Sequence, residues 1–123
     1  MIVLQVSSHS LEAKLAATVA TNPLDVTVVY YDLPQRNIDA QQLRYASQES
    51  AVSSATAVTI ANAPGEGLVR YITNICVFNR DTSSFNIVTI LKNLTTVSSF
   101  YKQHNVSTGL TLEYSHGYGW QLI

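Results

Sequence analysis

The sequence predicts an all-β protein: an antiparallel, jelly-roll-like β-sandwich, folded as one domain over residues 1–123. Three observations predict it. Val, Ile, Thr, Tyr and Phe dominate the apolar runs, and these are residues that suit strands. The runs are short and are divided by Gly, Pro, Asn and Ser, the residues of turns. From Thr56 onward the runs follow one another closely, as they do in sandwiches and barrels. A chain of this length buries very roughly two thirds of its unfolded surface, enough for a core without metal or disulfide staples.

The elements follow in order. "MIVLQV" reads as a short strand. "SLEAKLAATV" fits two periods. Leu11, Leu15 and Val19 suit an amphipathic helix, whereas Leu11, Ala13, Leu15 and Ala17 alternate as in a strand. Both remain open; a hairpin through "TNPLD" to the clear strand "VTVVYYDL" is preferred. Residues 34–55 are rich in Gln, Ser and Ala, with only Ile38, Leu43, Tyr45 and Val52 as larger apolar groups, so a long polar loop is expected there. "TAVTIAN" is the next strand and "APGEG" a turn. "LVRYITNICVFN" is a long strand, "RDTSS" turns it, and "FNIVTILKN" is expected to return antiparallel beside it. "VSSFYKQ", "LTLEY" and "WQLI" complete a meander, with turns at "NVSTG" and "SHGYG".

The long strand poses a question. Side chains alternate between the two faces of a sheet. Strict alternation places Leu68, Ile72, Cys76 and Phe78 on one face and Val69, Tyr71, Ile75 and Val77 on the other. Both faces are apolar, where a sheet with one wet face would alternate apolar and polar. Contiguous apolar patches of that size seldom stay exposed on a monomer. Val69, Tyr71, Ile75 and Val77 are therefore the candidate oligomer interface.

Composition limits the function. Charged residues make up 12% of the chain and the net charge is −1, so there is no basic field to grip nucleic acid. No apolar run reaches the ~18 residues of a membrane-spanning helix. No secretory signal is seen, so synthesis in a cytoplasm is expected. The single cysteine, Cys76, rules out an internal disulfide and is expected to pack as a small apolar group. His9, His104 and His116 are scattered, and no metal-ligand spacing, nucleophile elbow or phosphate loop is present. No cofactor or catalytic residue is expected. Asn79, Arg80 and Asp81 form a polar tip that suits a contact loop. Tyr114, Tyr118 and Trp120 lie around a Gly-rich turn, where rings could stack on a sugar or pack in the core.

The pattern in "LEAKLAATVATNPLDVTVVYYDL", "TAVTIANAPGEGLVRYITNICVFNRDT" and the closing "GLTLEYSHGYGW" resembles small structural proteins of tailed bacteriophage particles. Its marks here are Asn79-Arg80-Asp81, Leu112 with Tyr114, and Gly117-Tyr118-Gly119-Trp120. The resemblance implies a non-enzymatic virion protein, assembled in the bacterial host cytoplasm. Its expected partners are copies of itself, most often three, and other virion proteins of the capsid, portal and neck, tail or fibre. A carbohydrate- or receptor-binding module built on the C-terminal aromatic cluster is the alternative.

Overall fold

The computed structural model describes residues 2–34, 45–94 and 98–123. The described residues form an antiparallel β-sandwich and contain no helix. Its strands are β1 (Ile2–Leu4), β2 (Ser10–Leu15), β3 (Leu24–Pro34), β4 (Tyr45–Val52), β5 (Val58–Ala61), β6 (Leu68–Phe78), β7 (Phe85–Asn93), β8 (Ser98–Ser107), β9 (Thr111–Ser115) and β10 (Gly119–Leu122). One sheet runs β10-β9-β6-β3-β4, with β1 also on β6; the other runs β5-β2-β7-β8.

The residues 10–15 are a strand, not a helix. Leu11, Ala13 and Leu15 are fully or almost fully buried while Glu12 and Lys14 turn outward. The expected hairpin between this segment and β3 does not form, because β2 and β3 belong to opposite sheets. The same holds for β6 and β7. "NRDTSS" is an arch that carries the chain from one sheet to the other, so Phe85–Asn93 pairs with β2 and β8 rather than with β6. The meander is real only in part: β7–β8 and β9–β10 are sequential neighbours, while β8 and β9 lie in different sheets.

The long polar loop expected at 34–55 is corrected over its second half, while residues 35–44 lie outside the described residues. Tyr45–Val52 is an edge strand that pairs with β3 from Leu24↔Val52 to Tyr31↔Tyr45. It is polar because one side faces water and its edge is open; only Val52 is fully buried. Ile38 and Leu43 lie outside the described residues.

The core lies between the sheets. Leu4, Leu11, Leu15, Leu24, Val26, Val28, Val52, Ile60, Ile72, Ile75, Val77, Ile90 and Leu112 are at most 1% exposed. Burying each aliphatic side chain of this size contributes about 1.5–3 kcal/mol against the entropy of ordering the chain. One end of the sandwich is closed by Arg70. Its guanidinium makes a two-pronged bond to Asp32 (2.8 and 2.9 Å), donates to the Asn62 carbonyl (2.7 Å) and lies 4.0 Å from the Tyr30 ring centre.

The doubly apolar strand has a geometric answer. The β3–β6 register pairs Val29 with Asn74 and Tyr30 with Ile72, which leaves Thr73 as an inserted residue. This β-bulge reverses the facing of everything after it. Before the bulge, Arg70 and Ile72 point inward; after it, Ile75 and Val77 do. Much of the second apolar face is therefore the first one continued.

Candidate functional site

The expected interface set is split by the bulge. Ile75 and Val77 are fully buried in the subunit's own core and cannot meet a partner. Val69 and Tyr71 are half-buried on the outer face of the six-stranded sheet. They share that face with Val29, Tyr31, Cys76 and Phe78, as the register on both sides of Thr73 requires.

The contact loop is corrected as well. Asn79 and Asp81 are fully buried, and only Arg80 is exposed. The Asp81 carboxylate accepts from the backbone N–H of Ala20 (3.0 Å), Thr21 (2.8 Å), Asn22 (3.1 Å) and Thr82 (2.8 Å). It also accepts from the Ser83 hydroxyl (2.7 Å) and the Asn86 amide (3.1 Å). The Asn79 amide donates to the Val106 carbonyl (2.8 Å), and its side-chain oxygen accepts from the Asp81 N–H (3.0 Å). Burial pushes the Asp81 carboxyl up. The N–H of Ala20, the Ser83 hydroxyl and the N–H groups of Asn22 and Thr21 outweigh it and hold the group well below the usual carboxylate range. An arch between sheets leaves its backbone without ladder partners, and this carboxylate supplies them. Arg80 turns outward to Asp25 at 3.1 Å. The cluster is a brace for the fold, and its parts are taken.

The aromatic cluster divides too. Tyr114 and Trp120 are directly paired across the β9–β10 hairpin, with ring centres 5.0 Å apart, and both pack on the core. Tyr114 is thereby closed to a ligand stacking from outside, and Trp120 is partly covered. Tyr118 stands apart at the tip of the hairpin and is 89% exposed. Gly117 (φ 91°) and Gly119 (φ 78°) flank it in the left-handed region, which is costly for any residue with a Cβ.

What the sequence did not reveal is a group of tyrosines on the outer face of the six-stranded sheet. Tyr31 and Tyr71 stack at 5.1 Å, and Tyr45 meets Tyr31 edge-on at 5.5 Å. The three come from β3, β6 and β4, whose side-by-side order was not legible locally. Beside them a shallow trough of about 400 Å³ crosses the sheet, lined by Val29, Tyr45, Thr73, Asn74, Ser115, His116 and Tyr118. Tyr45 stands at the β4 side and Tyr118 at the β9–β10 side. The floor is preset by hydrogen bonds: Thr73 donates to the Val29 carbonyl (3.1 Å), Asn74 to the Ser115 hydroxyl (3.2 Å), and Ser115 to Glu113 (3.2 Å).

Cys76 is half-buried on this same outer face, rather than in the core. Burial and then the nearby Glu113 carboxylate push its thiol up. Among the described residues, no three His, Cys, Asp or Glu side chains gather where a metal could bind. The chain matches no family model, no curated protein and no solved structure.

Proposed function

We propose that the chain is a non-enzymatic structural protein of a tailed-phage particle. It self-associates, as a trimer, and docks on the capsid, neck or tail through the outer face of its six-stranded sheet. The observation that carries the docking is the strip of Val69, Tyr71, Tyr31 and Phe78 on that face. Covering side chains that are already half-buried gains about 1 kcal/mol each, so several together drive association at modest entropic cost. Tyrosines suit such a surface because they bring contact area with few rotatable bonds. The virion setting is supported by the resemblance of "TAVTIANAPGEGLVRYITNICVFNRDT" and "GLTLEYSHGYGW", which map onto β5, β6 and the arch, and onto β9–β10.

Light scattering on the purified protein tests this. An oligomer at micromolar concentration that Val69→Asp or Tyr71→Asp dissociates into folded subunits is the expected result. A stable monomer would overturn the self-association. Docking would then rest on other virion proteins alone.

A further inference from the structure

We propose that the trough between Tyr45 and Tyr118 is a binding site for a neutral oligosaccharide. This rests on the reading above that the outer face of the six-stranded sheet is where the protein meets its partners, and it assigns a ligand class to one part of it.

The lining residues select the class. Val29, Tyr45, Thr73, Asn74, Ser115, His116 and Tyr118 include no carboxylate, amine or guanidinium. An anion such as a phosphate or a sulfated sugar would find no fixed positive charge there, and the nearest carboxylate, Glu113, is already engaged by the Ser115 hydroxyl at 3.2 Å. The site instead offers two aromatic rings at its ends and amide, hydroxyl and imidazole groups between them. A pyranose ring presents the complement: an apolar C–H face that stacks on an aromatic ring, and an equatorial belt of hydroxyls that both donate and accept.

The dimensions fit a short chain rather than one sugar. From β4 to β9 the trough crosses β3 and β6, three strand spacings or about 14 Å. That is room for two or three rings.

One of the two walls is held by ring packing. Tyr45 is 63% exposed, yet its ring is fixed edge-on against Tyr31, which is itself stacked on Tyr71. Tyr118 is set at the hairpin tip by a turn in which Gly117 and Gly119 take positive φ and its own N–H donates to the Ser115 carbonyl (3.0 Å), and its ring is open to solvent. The floor is set by the hydrogen bonds of Thr73, Asn74 and Ser115, so the floor needs little ordering on binding. Thr73 is on this floor because it is the bulged residue of β6, and bulges commonly re-aim side chains at sites.

The test uses four neutral probes: cellotetraose, maltotetraose, tetra-N-acetylchitotetraose and lactotetraose. Each is titrated into the isotope-labelled full chain and followed by backbone amide shifts. At least one is expected to bind with a Kd between about 10 μM and 1 mM, with shifts confined to residues 29, 45, 73–74 and 115–118. Tyr118→Ala or Tyr45→Ala is expected to weaken that binding about tenfold or more, because each removes one of the two stacking rings. Phe85→Ala, on the opposite sheet, should leave it unchanged. Absence of binding by all four probes overturns the inference, as do shifts that fall elsewhere. An oligomer that Tyr118→Ala dissociates also overturns it, because the trough is then occupied by a second copy. If no sugar binds but Val69→Asp still dissociates an oligomer, the sugar site is lost and the docking face stands. If a sugar binds to a protein that neither self-associates nor joins a virion, the site stands and the docking role falls.

Discussion

Ile72 and Ile75 are three residues apart in β6, and both are fully buried in the same core. A regular strand would place them on opposite faces. Thr73 makes the reversal by having no partner on β3. Its chain is held in place from both sides, because its hydroxyl donates to the Val29 carbonyl and its own carbonyl accepts from the His116 N–H at 2.9 Å. The bulge therefore decides which substitutions are structural. Ile75→Ala should lower stability by about 2–5 kcal/mol, the range for a large-to-small change in a packed core. Val77→Asp should prevent folding, as it buries a charge without a partner. Val69→Ala, on the half-buried outer face, should cost less than about 1 kcal/mol. Urea unfolding of the three variants checks the order.

Asp81 gives a prediction with a pH signature. Its carboxyl is held below the ordinary value of 3.8 by hydrogen bonds that exist only in the folded chain. A folded-state value below the unfolded one means stability that is fully present above about pH 4. That contribution declines as the pH falls, since the unfolded state then takes up the proton first. Asp81→Asn should thus be less stable than the wild type at pH 7, with a lower urea midpoint. The gap between the two midpoints should narrow steadily below about pH 4. A gap that stays constant with pH would show that shape, rather than charge, is what the arch needs.

Asn79→Ala tests the same brace without changing a charge. It removes the bond to the Val106 carbonyl and the acceptor for the Asp81 N–H. Both groups are left buried and unpaired, which costs about 1–3 kcal/mol each at most. Hydrogen exchange should show the loss first in residues 79–86 and in the Ala20–Asn22 turn, because Asp81 ties these segments together.

The strands were legible because their signal is local: β-branched and aromatic runs between turn residues. The sheet to which each strand belongs was not. Nothing in "NRDTSSFN" distinguishes a hairpin tip from an arch, except that Asn79, Asp81, Ser83 and Asn86 together offer more hydrogen-bonding groups than a two-strand tip uses. That excess was the available signal. The Ile72–Ile75 reversal had no comparable one, since Thr73 is an ordinary strand residue whose insertion shows only in the register with β3. Tyr114 and Trp120 could have been placed inside from sequence. Counting back from the Gly117 turn makes them direct partners on one face, and Leu112 shares that face. The Tyr31–Tyr45–Tyr71 group could not, because it depends on β4 being a strand in a segment whose composition reads as loop.

Cys76 provides a chemical check on the outer face. A half-buried thiol pushed up by burial and by Glu113 is a weak nucleophile at neutral pH. Native labelling by a maleimide at pH 7 should be slower than in urea, and should speed up as pH rises toward and beyond the ordinary value of 9.0. Glu113→Gln should accelerate it at fixed pH by removing the repulsive charge. Cys76→Ser should cost about 1 kcal/mol or less, because a hydroxyl at a half-exposed position can reach water. A larger loss would place the side chain in the core after all.

The Arg70–Asp32 pair separates removing one partner from removing both. Side-chain exposure is 10% for Arg70 and 24% for Asp32, so the pair is shielded without being sealed. The short bonds to Asp32 raise the Arg70 guanidinium above its ordinary value, although burial acts the other way, so it stays charged at any pH at which the protein folds. Asp32→Asn keeps a hydrogen-bonding group beside the guanidinium, which retains the Asn62 carbonyl and the Tyr30 ring. The loss should be about 1–2 kcal/mol. Arg70→Met preserves the stem's packing but leaves the Asp32 carboxylate and the Asn62 carbonyl without their donor. It should cost more, about 3 kcal/mol, since an unpaired shielded charge is worse than a weakened pair. The double variant Arg70→Met with Asp32→Leu should recover part of that loss and lie above Arg70→Met alone. Additive losses in the cycle of Arg70→Met, Asp32→Leu and the double variant would show that the two groups act independently and that Tyr30 and Asn62 are the contacts that close this end of the sandwich.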